Sequence, residues 1–265
     1  MRAMILGAGL GTRLRPLSDL RPKPAVPVRG LPLIAYPLAL LARAGVSEVM
    51  INVHHHPAAL IESAERYAPP GLRVHFSREE CLLGTGGGIR RAAAFLRESD
   101  PCLILAGDML LDLDLGALIG QHRRQDNAWT LVLRDDPRGA SFGTIGIDAA
   151  GRIRRIARRF DLGGEQRAGL YVHATMMAAR TFETMPDRDA FGHLDGWVVP
   201  LLEAGAEDVR AEIYGPGECV WEPVGSPSEY LAANLDPPRL SFLDPDVRAR
   251  REGTRFARGL VIGAG

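Results

Sequence analysis

Short apolar runs closed by glycine or an acidic residue alternate with longer amphipathic segments over residues 3 to 133. AMIL precedes PLIAYPLALLARAG, EVMINV precedes PAALIESAERY, LRVHF precedes GGIRRAAAFLRE, CLILAG precedes LGALIGQHRRQ, and WTLVL follows. The runs are too short for buried helices and carry flanking glycine, so they read as strands. Strand and helix in turn is the rhythm of βαβ units, and it predicts an α/β fold with a Rossmann-like, mostly parallel sheet flanked by helices.

The rhythm changes near residues 140–210. SFGTIGID and GRIRRIARRF read as a hairpin and AGLYVHA as a further strand, an inserted layer of the kind that makes the second wall of a cleft. A helical stretch, HLDGWVVPLLEAG, then strands at VRAEIY and CVWEPV and the helix SPSEYLAANL complete a unit spanning residues 1–236. Residues 237–257 carry proline and charge without periodicity, as a linker does. The final residues, 258–265, contain GLVIGAG, which reads equally as the first rung of a left-handed parallel β-helix or as a frayed tail. On the first reading the chain is a fragment of a longer protein, and such an array typically mediates homo-oligomer formation.

Lys+Arg and Asp+Glu both number 32, giving a formal charge of +0, so no global attraction for nucleic acid or an anionic membrane exists and any positive site must be local. Cys81, Cys102 and Cys219 form no CxxC pair, which argues against a disulfide framework or zinc ribbon and fits a reducing, cytoplasmic setting. The N-terminus lacks an export-signal pattern, and no apolar stretch is long enough to span a membrane.

Directly after the first strand comes GAGLGTRLRPLSDLRPKP. Small residues behind a strand let backbone N–H groups approach phosphate closely. A dinucleotide fingerprint starting at Gly7 and Gly9 finds Thr12 where its third glycine belongs, which leaves an NAD-type oxidoreductase remote. A Walker A loop needs Gly-Lys-Ser/Thr, and Arg13 stands instead. What remains is G-x-G-T-R-L, then Lys23 between Pro22 and Pro24. A forked guanidinium and a compact ammonium on a stiffened segment suit a triphosphate clamp. CLILAG ends at Gly107-Asp108, placing a carboxylate at the carboxyl end of a strand, where open α/β sheets bind ligands. His54, His55 and His56 read as a surface turn, because consecutive residues on an extended chain point to opposite sides.

Five motifs in order, GAGLGTRLRPLSDLRPKPAVPVRGLPLI, EVMINVHHHP, ECLLGTGGGIRRA, LILAGDML and VWEPVGSPSEYL, resemble the sugar-1-phosphate nucleotidyltransferases over nearly all of residues 1–236. In motif the chain is most similar to mannose- and heptose-1-phosphate guanylyltransferases and N-acetylmuramate-1-phosphate uridylyltransferases. The resemblance implies an enzyme that takes an NTP and a sugar-1-phosphate and forms an NDP-sugar and pyrophosphate, with Mg2+ as cofactor. It implies that Leu6, Gly7, Ala8, Gly9, Gly11 and Thr12 hold the nucleotide, that Arg13 binds the departing pyrophosphate, and that Lys23 contacts the α-phosphate. It further implies that Asp108 binds the metal, that Gly84, Thr85 and Gly86 read the base, and that Gly143, Arg159, Gly169 and Tyr171 meet the sugar.

Two departures from the family pattern bear on mechanism. Where many relatives carry Glu-Lys-Pro, this chain has Arg158, Arg159 and Phe160, keeping a cation at the lysine position and losing the acidic sugar contact. Where the family reads W-x-D-V-G-T-P, this chain has Trp221-Glu222-Pro223-Val224-Gly225-Ser226-Pro227, so proline replaces a metal-binding aspartate. Three outcomes stand open: a one-carboxylate site around Asp108, a distortion that brings Glu222 in as a second metal ligand, or a catalytically inactive NDP-sugar-binding sensor or regulatory subunit.

Overall fold

The computed structural model describes residues 1–243 and, beyond them, the backbone of two short strands. β1 (Arg2–Leu6) runs into the glycine-rich loop, a 3-10 turn (Thr12–Leu14), α1 (Leu17–Leu20), a second 3-10 turn (Lys23–Ala25) and the small hairpin β2 (Pro27–Val28) and β3 (Leu31–Pro32). α2 (Ala35–Arg43), β4 (Glu48–Val53), α3 (Pro57–Tyr67), β5 (Arg73–Arg78), α4 (Gly84–Arg91), α5 (Ala93–Leu96) and β6 (Cys102–Ala106) continue the alternation. β7 (Met109–Leu113), α6 (Leu115–Gln125) and β8 (Trp129–Arg134) follow, then α7 (Gly139–Phe142), β9 (Ile145–Ile147), β10 (Ile153–Ile156), β11 (Phe160–Asp161) and β12 (Arg167–Met177). The rest comprises a π-helical turn (Leu194–Val198), α8 (Val199–Glu203), β13 (Val209–Tyr214), β14 (Cys219–Pro223), α9 (Pro227–Leu235) and an antiparallel pair, β15 (Arg255–Ala257) with β16 (Leu260–Ile262). Apart from residues 237–243 and this pair, the expected linker and the segment after it lie outside the described residues.

The main sheet runs β11-β10-β9-β12-β6-β1-β4-β5, with β8 on β12 and β13 on β8. β1, β4, β5 and β6 are mutually parallel, as the alternating pattern requires. β12 lies antiparallel to both β6 and β8, so β8 and its parallel neighbour β13 point the same way as β1. The architecture is therefore the expected α/β fold around a mostly parallel sheet.

The inserted hairpin does not lie over the sheet as a separate layer. β9 is hydrogen-bonded to Arg167–Gly169 of β12, while Ala174–Met177 of the same strand pair with β6. One long strand thus carries the cleft's second wall and fastens it to the parallel core. β7, which follows β6 after only Gly107 and Asp108, was not expected as a strand; it leaves the main sheet and pairs antiparallel with β14.

Alternate residues explain why both faces are covered. Ala3, Ile5, Leu103 and Leu105 enter one apolar cluster with α2 and α3, while Met4, Cys102 and Ile104 enter another with Trp129 and Trp197. A strand buried on both sides reads as a continuous apolar run. Of the two acidic residues flanking Leu113, Asp114 caps α6 by accepting from Ala117 N, whereas Asp112 accepts the Ser241 hydroxyl at 2.9 Å.

α4 begins Gly84-Thr85-Gly86-Gly87-Gly88, an unusual opening because glycine weakens helices. The chain at 189–191 lies against this turn: Phe191 O accepts from Gly86 N at 2.8 Å, and a Cβ on Gly87 would sit 2.1 Å from Asp189 O. Gly87→Ala, which helix propensity alone would make stabilising by about 1 kcal/mol, should instead destabilise the protein by about 1–3 kcal/mol through overpacking. Urea unfolding of the two proteins measures the sign.

Candidate active site

A cleft of about 810 Å³ opens where β1 and β6 end, floored by the sheet and walled by the β9–β12 hairpin region. That volume is in the range of small-molecule binding sites. At the β1 end, Gly7 N donates to Asn52 Oδ1 at 2.8 Å, and a Cβ on Gly7 would meet Asn52 O at 2.9 Å, so only glycine fits this close approach. Asn52 Nδ2 donates to Glu79 Oε1 at 2.7 Å, and Glu79 Oε2 accepts from Leu83 N at 3.2 Å. This buried chain ties the glycine-rich loop after β1 to the loop that starts α4.

The three histidines after β4 do similar work. Ring nitrogens of His54, His55 and His56 contact the carbonyls of Glu79, Ser18 and Asp19 at 2.9, 2.9 and 3.1 Å. The turn is at the surface, as expected, but its rings hold α1 and the loop after β5 rather than standing in solvent.

Opposite Gly7, the buried Lys23 donates from Nζ to Asp108 Oδ2 at 2.7 Å. Its stem is set by the loop: Gly11, at φ 64°, would bring a Cβ to 3.1 Å from Lys23 Cβ. The turn after β14 closes over these groups, anchored by Val224 N donating to Asp108 O at 3.1 Å. The point where a Cβ on Gly225 would sit lies within 3.4 Å of Lys23 Nζ, Arg13 Nη2 and Glu229 Oε2 alike. Two cations and a carboxylate therefore converge beside Asp108. Glu229 owes its place to helix capping: its N–H donates to Ser226 Oγ, and its carboxylate accepts from Gly225 N at 2.7 Å.

Leu6, Gly7, Ala8, Gly9, Gly11, Thr12, Arg13, Lys23, Gly84, Thr85, Asp108, Gly143, Arg159 and Tyr171 all line the cleft. Three expected site residues do not. Gly86 faces the Phe191 ring, where a Cβ would stand at 2.3 Å, and Gly169 lies against Leu133 and Arg134 O within the sheet. Both glycines are required by close packing. Glu222, expected as a metal ligand, is held elsewhere: its Oε2 accepts from Arg138 Nη1 at 2.7 Å, while Pro223 takes the cleft-lining position. The reason is strand alternation, since β14 keeps its register against β7 through Pro223 and adjacent side chains leave opposite faces.

Arg138 also donates to the buried Asp136, contacts Trp221 O and stacks over the Trp221 ring at 5.0 Å. Its side-chain hydrogen bond holds the Asp136 carboxyl below the usual carboxylate range. Arg159, at the sugar end expected from sequence, is ion-paired with Asp195.

Asn52, Glu79, His173 and His193 also belong to the site or support it, and sequence reasoning gave none of them a role. His193 Nδ1 lies 2.8 Å from Thr85 Oγ1, His193 Nε2 lies 3.1 Å from Tyr171 Oη, and Tyr171 Oη lies 2.6 Å from Thr175 Oγ1. Thr85 Oγ1 also accepts from His193 N at 3.0 Å, so the hydroxyl holds both the backbone and the ring of His193. Burial pushes the His193 pKa down to about 3.

A nucleotidyl transferase family model matches residues 2–238. The chain is 31% identical to a mannose-1-phosphate guanylyltransferase of Mycobacterium tuberculosis, over 99% of this chain and 72% of that protein. It is 32% identical to a UTP–glucose-1-phosphate uridylyltransferase of Synechocystis over 65% of this chain and 48% of that protein. It spans 64% of the length of a mannose-1-phosphate guanyltransferase of Debaryomyces hansenii and 49% of that of Emericella nidulans. HddC from Yersinia pseudotuberculosis, crystallised with GMP-PN, superposes with a TM-score of 0.70 at 24% identity, covering 88% of this chain and 97% of that one, which shows the shared fold.

The His193 shift has a defined sign. A histidine whose folded pKa lies below its unfolded value binds fewer protons when folded, so stability is complete above about pH 6.5 and declines as pH falls toward about 3. Between pH 6 and pH 4 the wild type should lose up to about 1.4 kcal/mol more per pH unit than His193→Gln. Urea denaturation at each pH reads the difference in slope.

Proposed function

The chain belongs to the nucleotidyl transferase family, and from that membership we propose that it transfers a guanylyl group from GTP to a hexose-1-phosphate, forming a GDP-sugar and pyrophosphate. The observation that carries the reading is the Lys23–Asp108 pair beside Arg13, held at the carboxyl ends of two parallel strands. An oxygen of the sugar phosphate attacks the α-phosphorus, a new P–O bond forms, and the bond to the β-phosphate oxygen breaks. The attacking group is already anionic, so positioning and charge neutralisation supply the catalysis. Lys23, rigid and largely desolvated, is suited to the charge that builds on the α-phosphate. Arg13, exposed in the cleft and making no ion pair among the described residues, is suited to the departing pyrophosphate.

The donor set fits a divalent cation only in a limited form. Asp108 presents one carboxylate, 44% exposed in the cleft, while Pro223 offers none and Glu222 is engaged by Arg138. Magnesium accepts one carboxylate together with phosphate oxygens and water, so Asp108 would hold it. Such an ion would neutralise phosphate charge when bound.

Guanine is favoured by Glu79. Its carboxylate is buried in the cleft lining, fixed by Asn52 Nδ2 and Leu83 N, and faces no cation among the described residues. A carboxylate only accepts, and guanine offers both N1–H and an amino group to such an acceptor. The name of the mycobacterial relative points the same way.

Pro223 favours a second reading, a protein that binds NDP-sugars without turnover. Pyrophosphate release with magnesium, four NTPs and a panel of sugar-1-phosphates separates the two. Release is expected with GTP, and Asp108→Asn and Lys23→Met should each lower it by about 10²–10³-fold. Glu79→Gln should narrow the preference for GTP over UTP by about tenfold or more, read from kcat/KM for each. No release from any pair, with GDP-sugar binding intact, would select the second reading.

A further inference from the structure

His173 occupies a place that the fold alone does not explain. β12 pairs with β8 at Tyr171–Leu133 and at Thr175–Leu131, so Val172, His173 and Ala174 stand opposite the single residue Val132. At the crest of this bulge His173 adopts φ 55°, in the left-handed region that non-glycine residues seldom enter. Bulges re-aim side chains, and backbone strain of this kind collects at functional sites.

The bulge turns His173 alone out of the core. Val172 and Ala174 are fully buried, whereas the His173 ring is exposed into the cleft. Because Ala174 pairs with Leu105, residue 173 falls beside the end of β6, next to Gly107 and Asp108. The ring lies 4.7 Å from that of Tyr171 and makes no hydrogen bond among the described residues. The ring nitrogens of an imidazole can exchange hydrogen bonds with a hydroxyl.

Packing does not demand this residue. Any apolar ring would cover Tyr171, and glycine would serve the backbone at φ 55° without strain. What histidine adds is a polar ring in the cleft that holds Lys23 and Asp108 as well as Gly143, Arg159 and Tyr171. Resting on the reading of the site as one for a sugar-1-phosphate, we propose that His173 hydrogen-bonds a sugar hydroxyl next to the anomeric phosphate and thereby helps select the sugar.

The test compares GDP-mannose with GDP, and UDP-glucose with UDP in parallel, by calorimetry with magnesium present, in the wild type, His173→Gly and His173→Asn. Glycine removes the imidazole and relieves the backbone, so its melting temperature should equal or exceed that of the wild type. Its affinity for the NDP-sugar should fall about tenfold while affinity for the NDP stays within about twofold, a site losing one hydroxyl contact. Asparagine tolerates the left-handed conformation and keeps a donor and an acceptor, so it should restore part of the loss. Equal affinity of wild type and His173→Gly for the NDP-sugar would overturn the proposal, as would an equal loss for NDP and NDP-sugar. Pyrophosphate release by the wild type judges the underlying reading separately, since release can persist when the His173 comparison fails.

Discussion

The contact between Lys23 Nζ and Asp108 Oδ2, 2.7 Å long, joins two parts of the chain that are 85 residues apart and gives the cleft its electrostatic centre. A lysine only 7% exposed needs a partner, because a desolvated charge without one costs several kcal/mol. The partner can be there only if β6 ends beside β1, which the parallel register between Leu6 and Ala106 ensures. It also requires Gly107, where a Cβ would press within 2.9 Å of Ile5 and 3.1 Å of Leu6 O. Sheet register, a tight glycine turn and a proline-stiffened segment thus meet in one ion pair, with Arg13 and the Gly225 turn packed around it.

Rigidity elsewhere in the cleft comes from polar groups that are each satisfied by another loop. Gly7, Asn52, Glu79 and Leu83 form one buried chain, and Thr85, His193, Tyr171 and Thr175 form another on the opposite wall. Buried polar chains of this kind fix geometry because breaking any link strands the remaining groups. The α4 opening sits between them, its glycines admitting the chain at 189–191 and its Thr85 joining the second chain. The run of glycines is therefore an interface between loops as well as part of the cleft, and the two functions make the same demand for small residues.

How much of this was legible depended on whether the deciding contact was local. α3 and α6 were read to the residue because Pro57 and Asp114 start them and their apolar stripes have helical spacing. Arg13, Lys23 and Asp108 were legible as an ordered pattern along the chain. β7 was not, since its apolar run follows β6 after two residues and nothing local reveals that the chain leaves the sheet there. Gly86 and Gly169 were assigned to ligand contact because sequence shows that a site must be small without showing which neighbour makes it so. His173 needs a bulge produced by pairing β12 with three different strands, an arrangement absent from any short window.

Pro223 follows from the same local economy. At the end of β14 it faces Met109, and the hydrogen bond that continues the closure is made one residue later, from Val224 N to Asp108 O. The strand therefore loses no donor that the turn requires, and proline is tolerated at the end of a two-stranded pair. On the other face, Glu222 is drawn to Arg138, whose guanidinium also binds Asp136 and covers Trp221. Bringing Glu222 into the cleft would break that pair and leave Arg138 with the Asp136 contact alone among carboxylates, in exchange for placing a second anion near Asp108. The acidic side chain that remains beside the cations is Glu229, and its carboxylate is already engaged by Gly225 N at the start of α9. Arg13 and Lys23 are thus the cations gathered at a strand end that contributes one carboxylate, Asp108, rather than two.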